Sequence, residues 1–90
     1  MFSRLFSRCR KPSPAHFVMY TRQGCHLCEQ AWALLEDARK THGFTLEAID
    51  VDSAPELVQQ YGECVPVVLV DGKVRFRGQV NAALLKRLLV

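Results

Sequence analysis

The stretch Tyr20-Thr21-Arg22-Gln23-Gly24-Cys25-His26-Leu27-Cys28 puts two cysteines where one periodicity gives way to another. Before it, His16-Phe17-Val18-Met19-Tyr20 reads as a short apolar strand; after it a helical period runs to about Thr41. At a helix start, residues three apart share a face, so Cys25 and Cys28 lie within reach of a short-loop disulfide. Their surroundings differ. Cys25 falls in the exposed first turn, where unpaired N–H groups and the helix dipole favour a thiolate, whereas Cys28 lies deeper and is shielded.

The rest of the chain leaves room for one small domain. Ninety residues, 49% of them hydrophobic, enclose a single modest core, and a chain of this size buries only about 60–65% of its unfolded surface. The four cysteines, at 9, 25, 28 and 64, are unevenly spaced and follow no signal-peptide apolar core, which argues against a secreted disulfide scaffold. A reducing, cytoplasmic setting is expected, with an organelle as the alternative if residues 1–15 act as a targeting segment. No apolar run approaches the roughly 20 residues of a membrane-spanning helix, so a soluble monomer is expected.

The net charge of +3 divides unevenly. Arg4, Arg8, Arg10 and Lys11 give residues 1–15 a charge of +4 with no acid, which leaves residues 16–90 at −1. A nearly neutral domain lacks the basic stripe of a nucleic-acid binder, and none is expected. Residues 1–15 end in Pro12-Ser13-Pro14 and read as a basic extension joined to a domain over 16–90. As a helix, Phe2, Leu5, Phe6 and Cys9 would share one face, suited to an anionic membrane or to targeting; the plainer reading is a disordered extension, with Cys9 a free thiol.

From Leu27 onward, Leu27, Ala31, Leu34, Leu35 and Ala38 recur at helical spacing as a buried stripe, with Glu36 and Lys40 an exposed pair and Gly43 the stop. Trp32 reads as core or rim packing, with a substrate-facing role as the alternative. Phe44 to Asp52 reads as a second strand, and Asp50 and Asp52 as its solvated end rather than a metal site. Ser53-Ala54-Pro55-Glu56 reads as a capping box, opening a short helix with Leu57, Val58 and Tyr61 inward and Gly62 at its close. Val67 to Val70, Asp71-Gly72 and Lys73 to Arg77 make a hairpin. In its second strand Val74 and Phe76 face the core, while Lys73, Arg75 and Arg77 point outward to guard an edge or attract an anionic substrate. A last helix buries Leu84, Leu85, Leu88 and Leu89, with Lys86 and Arg87 at its negative end.

Cys25-His26-Leu27-Cys28 after a strand, Val65-Pro66 before another, and the order strand, helix, strand, helix, hairpin, helix resemble the thioredoxin fold in its short glutaredoxin-like form, over about residues 16–90. The resemblance implies an α/β thioredoxin-like architecture (β-α-β-α-β-β-α), a four-stranded mixed sheet flanked by three helices. It also implies a redox-active disulfide between Cys25 and Cys28, the first as nucleophile and the second as resolving thiol. Pro66 would be cis and stand against the dithiol. Gly24, His26, Cys64, Val65 and Pro66 would support the site.

The chain departs from the glutaredoxin pattern in having His26-Leu27 for Pro-Tyr, Cys64 for Thr, and Gly78-Gln79-Val80-Asn81 for a Gly-Gly followed by Asp. Glutathione therefore stands only as a candidate cosubstrate. His26 can favour the Cys25 thiolate or simply be a solvent-exposed side chain. Cys64 reads as a small buried residue or as a third thiol, glutathionylation point or metal ligand. The leading expectation is a cofactor-free thiol-disulfide oxidoreductase acting in electron transport on protein disulfides or glutathione-type thiols. Alternatives are a metal or iron-sulfur carrier and a noncatalytic interaction module; with no second C-x-x-C to complete four ligands, no bound metal is expected.

Overall fold

Alternation along the first strand builds the molecule outward in two directions. The computed structural model describes residues 15–89; the expectations for residues 1–14 lie outside the described residues. In β1 (His16–Thr21), Phe17 and Met19 are buried on one side of the strand, while Val18 and Tyr20 are half-buried on the other. The chain continues through α1 (His26–His42), β2 (Thr45–Asp50), a 3₁₀ turn (Val51–Ser53), α2 (Pro55–Tyr61), β3 (Val67–Val70), β4 (Lys73–Arg77) and α3 (Ala82–Leu89). The four strands form one sheet in the order β2-β1-β3-β4. β1 and β2 are parallel, as a helical crossover requires, and the β1/β3 and β3/β4 pairs are antiparallel. This is the mixed sheet with three helices expected from the resemblance.

Each face has its own core. On one, Phe17, Met19, Val68 and Phe76 of the sheet meet Cys28, Ala31 and Leu35 of α1 and Leu85 of α3, together with Phe44 and Val80. Phe17 and Phe44 stack there with ring centroids 4.0 Å apart. On the other, Val51, Tyr61 and Val67 form a smaller cluster joined by Tyr20, Leu57, Cys64 and Leu69. Tyr20 stacks on Tyr61 at 4.5 Å.

Several elements depart locally from the sequence pattern. The buried stripe of α1 is Cys28, Ala31 and Leu35, flanked by Trp32 and Ala38, while Leu27 is 44% exposed and Leu34 36%. Cys28 and Leu35 are seven apart, and the residues just before them lie about 100° around the helix, off the sheet. Glu36 pairs with Arg39 (Nη2 to Oε1, 2.7 Å) and not with Lys40. The N-cap of α2 is Ala54 with no side-chain cap bond, so no capping box forms. Asp50 bends the chain first: its carboxylate accepts the Asp52 N–H, and the Ser53 hydroxyl donates to the Asp50 carbonyl. This spends Ser53 on the 3₁₀ turn.

Gly43 ends α1 in the left-handed conformation (φ 75°), where a side chain would be strained. Gly62 closes α2 for a different reason. Its φ of −53° is ordinary, but a Cβ would lie 2.5 Å from the Val58 carbonyl oxygen. In the hairpin, Asp71 and Gly72 both take positive φ, the signature of a type I′ turn. Val74 is exposed while Phe76 is buried. Val68 pairs with Phe76 but Leu69 with Val74, which leaves Arg75 as an extra residue. This bulge takes Val74 out of phase with Phe76. In α3, Leu85 is buried and Leu88 and Leu89 partly so, but Leu84 is 50% exposed. Asn81 caps that helix by accepting the Leu84 N–H at 3.0 Å.

Candidate active site

The dithiol stands where β1 runs out of the sheet. Arg22 to Cys25 make a turn closed by the Cys25 N–H donating to the Arg22 carbonyl (3.3 Å). Gly24 takes a φ of 74° within it, a conformation that glycine alone adopts freely. Cys25 is the N-cap residue of α1, and its Sγ accepts the Cys28 N–H at 3.1 Å. The two cysteines are joined in a disulfide with Cα atoms 5.1 Å apart. Cys25 is half-buried and Cys28 is 3% exposed within the main core. The asymmetry expected from the helix start is thus present, although Cys25 is less open than its first-turn position suggests.

The neighbours divide between the two faces of the sheet. The Val65–Pro66 peptide is cis, and Pro66 is fully buried. Val65 packs against the main core that contains Cys28 and abuts Cys25, and also against the smaller one. The loop is held by Gly78, whose N–H lies 2.8 Å from both the Cys64 and the Pro66 carbonyl oxygens. Cys64 is a half-buried free thiol that joins the Tyr61 cluster, not the core containing Cys28. His26 is 85% exposed at the side chain, with Nδ1 3.9 Å from Glu29 Oε1. Among the described residues, no group of three or more His, Cys, Asp or Glu side chains converges as a metal site. No helix among them is long and apolar enough to cross a membrane.

A residue that the sequence reading passed over holds the turn in place. Arg22 donates from Nε and Nη2 to the two Asp52 carboxylate oxygens (3.1 and 3.0 Å), and from Nη1 to the Gly62 carbonyl (3.1 Å). One guanidinium thereby ties the loop before the dithiol to the 3₁₀ turn and to the end of α2. Hydrogen bonding to Asp52, and then the charge of that carboxylate, raise the Arg22 pKa above its ordinary value, so the group stays cationic. The partners lie 30 and 40 residues away, so no local pattern reveals the clamp. The only sequence signal was a lone arginine between the strand and the cysteines.

Beside the dithiol a groove of about 430 Å³ opens between α1 and the β1-β2 edge. Its walls include Met19, Cys25, Cys28, Trp32 and Ala48, with Arg22 and Glu29 at the rim. Trp32, read from sequence as core or rim packing, does both: it packs against the main core and lines this groove.

Comparison with known proteins agrees with the geometry. The chain is 31% identical over 68 residues to a glutaredoxin-like protein YDR286C homolog of Dictyostelium discoideum, covering 69% of this chain and 63% of that one. It is 37% identical over 60 residues to the uncharacterized protein Mb0520 of Mycobacterium bovis, covering 61% and 62%. The chain thus spans a little under two thirds of the length of these relatives. Among solved structures, protein Ne2328 from Nitrosomonas europaea superposes with a TM-score of 0.76 at 30% identity, covering 90% of this chain and 98% of that one. Fasciola hepatica thioredoxin superposes with a TM-score of 0.58 at 22% identity over 84% and 78%, a likeness of fold alone. The model of the glutaredoxin-like domain (DUF836) matches residues 16–90, and with the dithiol on a thioredoxin fold this places the chain in the glutaredoxin-like domain family.

Proposed function

We propose that this protein is a thiol-disulfide oxidoreductase in which Cys25 is the nucleophile and Cys28 the resolving thiol. The observation that carries the reading is the unequal setting of the two sulfurs: Cys25 caps a helix and accepts an amide N–H, whereas Cys28 is sealed in the core. In the reduced protein that N–H and the helix start favour the anion at Cys25. The Cys25 thiolate attacks one sulfur of a substrate disulfide, forming a mixed disulfide while the other substrate sulfur leaves as a thiolate and takes a proton. Cys28 then loses its proton and attacks Cys25 Sγ, expelling the second substrate thiol. Two electrons pass from the dithiol to the substrate, leaving the Cys25–Cys28 disulfide. Two equivalents of an external thiol reverse these steps and leave as their own disulfide, and glutathione is a candidate for that role. No bound cofactor enters the cycle.

The test uses two variants against a peptide disulfide, with thiols trapped by alkylation. Cys25→Ser is expected to reduce exchange to the uncatalysed rate. Cys28→Ser is expected to accumulate a Cys25-peptide mixed disulfide visible as an added peptide mass. Activity surviving in Cys25→Ser, or faster alkylation of Cys28 or Cys64 than of Cys25 in the reduced wild type, would refute the assignment.

A further inference from the structure

The groove on the β2 side of the dithiol points to what the site selects. Its lining comes from β1, the loop after it, α1 and β2, and includes neither Val65 nor Pro66. Cys25 and Cys28 form part of its wall, so a substrate bonded to Cys25 sits at its mouth. Trp32 lies one helical turn beyond Cys28, half-buried, with Met19 and Ala48 also lining the cavity. At about 430 Å³ the groove is large enough for one bulky side chain. Its charge balance tells against a small anionic thiol. Arg22 is the one cation among the lining residues, and its guanidinium is already engaged by Asp52 and the Gly62 carbonyl, while Glu29 adds a carboxylate. A ligand bearing carboxylates finds no free positive side chain among the lining residues, whereas an apolar ring or branched chain finds the indole of Trp32 together with Met19 and Ala48.

Building on the oxidoreductase reading, we infer that Trp32 is a specificity-determining residue that binds an apolar side chain, aromatic above all, adjacent to the cysteine of a polypeptide disulfide. The exchange chemistry is unchanged; the groove adds affinity for the attacked chain. The effect expected of an apolar group in a partly open pocket is about tenfold in rate, the low end of such discrimination.

Single-turnover exchange between the reduced protein and excess disulfide tests this, with remaining thiols counted by alkylation. Four probes are used: symmetrical disulfides of a Phe-Cys and of a Ser-Cys peptide with blocked ends, bis(2-hydroxyethyl) disulfide, and glutathione disulfide. The wild type is expected to react about tenfold faster with the Phe peptide than with the Ser peptide. Trp32→Ala should lose that preference while its rate with bis(2-hydroxyethyl) disulfide stays within about twofold, and Trp32→Phe should retain most of it. Because Trp32 packs against the core, an equal fall on all probes in Trp32→Ala signals a structural role and overturns the proposal if Trp32→Phe also shows no preference. Preference persisting in Trp32→Ala, no preference in the wild type, or glutathione disulfide outrunning the Phe peptide overturns it too, with the oxidoreductase reading intact. A wild type inert to all four probes removes that reading and this one together.

Discussion

The two faces of the sheet are packed unequally, and the elements of the candidate site are shared between them. One face carries a core that gathers residues from α1, α3 and three strands and includes Cys28. The other carries Val51, Tyr61 and Val67 under a seven-residue helix, and the turn before Cys25 is tied there by Arg22. Cys28 is fixed within the thick face, while the turn that leads into Cys25 is tied to the thin one. Stability and sulfur placement should therefore be separable by mutation.

The largest effect is expected on the thick face. Leu35 is fully buried, and Leu35→Ala should cost about 2–5 kcal/mol in denaturant unfolding. A smaller loss would mean that this core yields more easily than its burial implies. On the thin face Gly62→Ala drives a Cβ against the Val58 carbonyl, with an expected cost of about 1–3 kcal/mol; the backbone shift should also disturb the Gly62 carbonyl that receives Arg22. Arg22→Ala should separate the two properties most clearly. Its guanidinium lies near the surface, so the thermal midpoint should move by no more than about 4 °C, yet disulfide exchange through Cys25 should slow about tenfold as the turn loosens. Equal kinetics in this variant would show that the clamp is irrelevant to presentation. The smallest change is expected at Leu34→Gln, within about 0.5 kcal/mol in chemical denaturation, because Leu34 faces outward beside the stripe that Leu35 anchors.

What sequence revealed about this molecule follows the range of the forces involved. Strand alternation at Phe17 and Met19, the helix stop at Gly43 and the Asp71-Gly72 turn are local, and the element order could be read from them. The position of the dithiol at the β1-α1 junction was legible for the same reason. The inward face of α1 was right at Ala31, Leu35 and Ala38 but drawn too wide, because Leu27 and Leu34 also fit the helical period, while the buried Cys28 was left out of the stripe; only the sheet decides which edge of the stripe is covered. Ser53 looks like a helix cap until Asp50 claims the turn before it. Val74 obeys alternation until Arg75 is squeezed out of register. The Arg22 clamp rests on partners 30 and 40 residues away, which no short-range pattern encodes. The cis Val65–Pro66 peptide, by contrast, was reached through family resemblance, since nothing local to that pair specifies it.

The amide that joins the two cysteines across the first turn of α1 is also a built-in gauge. The Cys28 N–H points at Cys25 Sγ from 3.1 Å, and sulfur is a far better acceptor as an anion than as a thiol. The proton resonance of that single amide in the reduced protein should therefore move with the charge on Cys25, and its exchange with solvent should slow as that charge appears. One backbone signal would report the titration of Cys25, the proposed nucleophile, without a label.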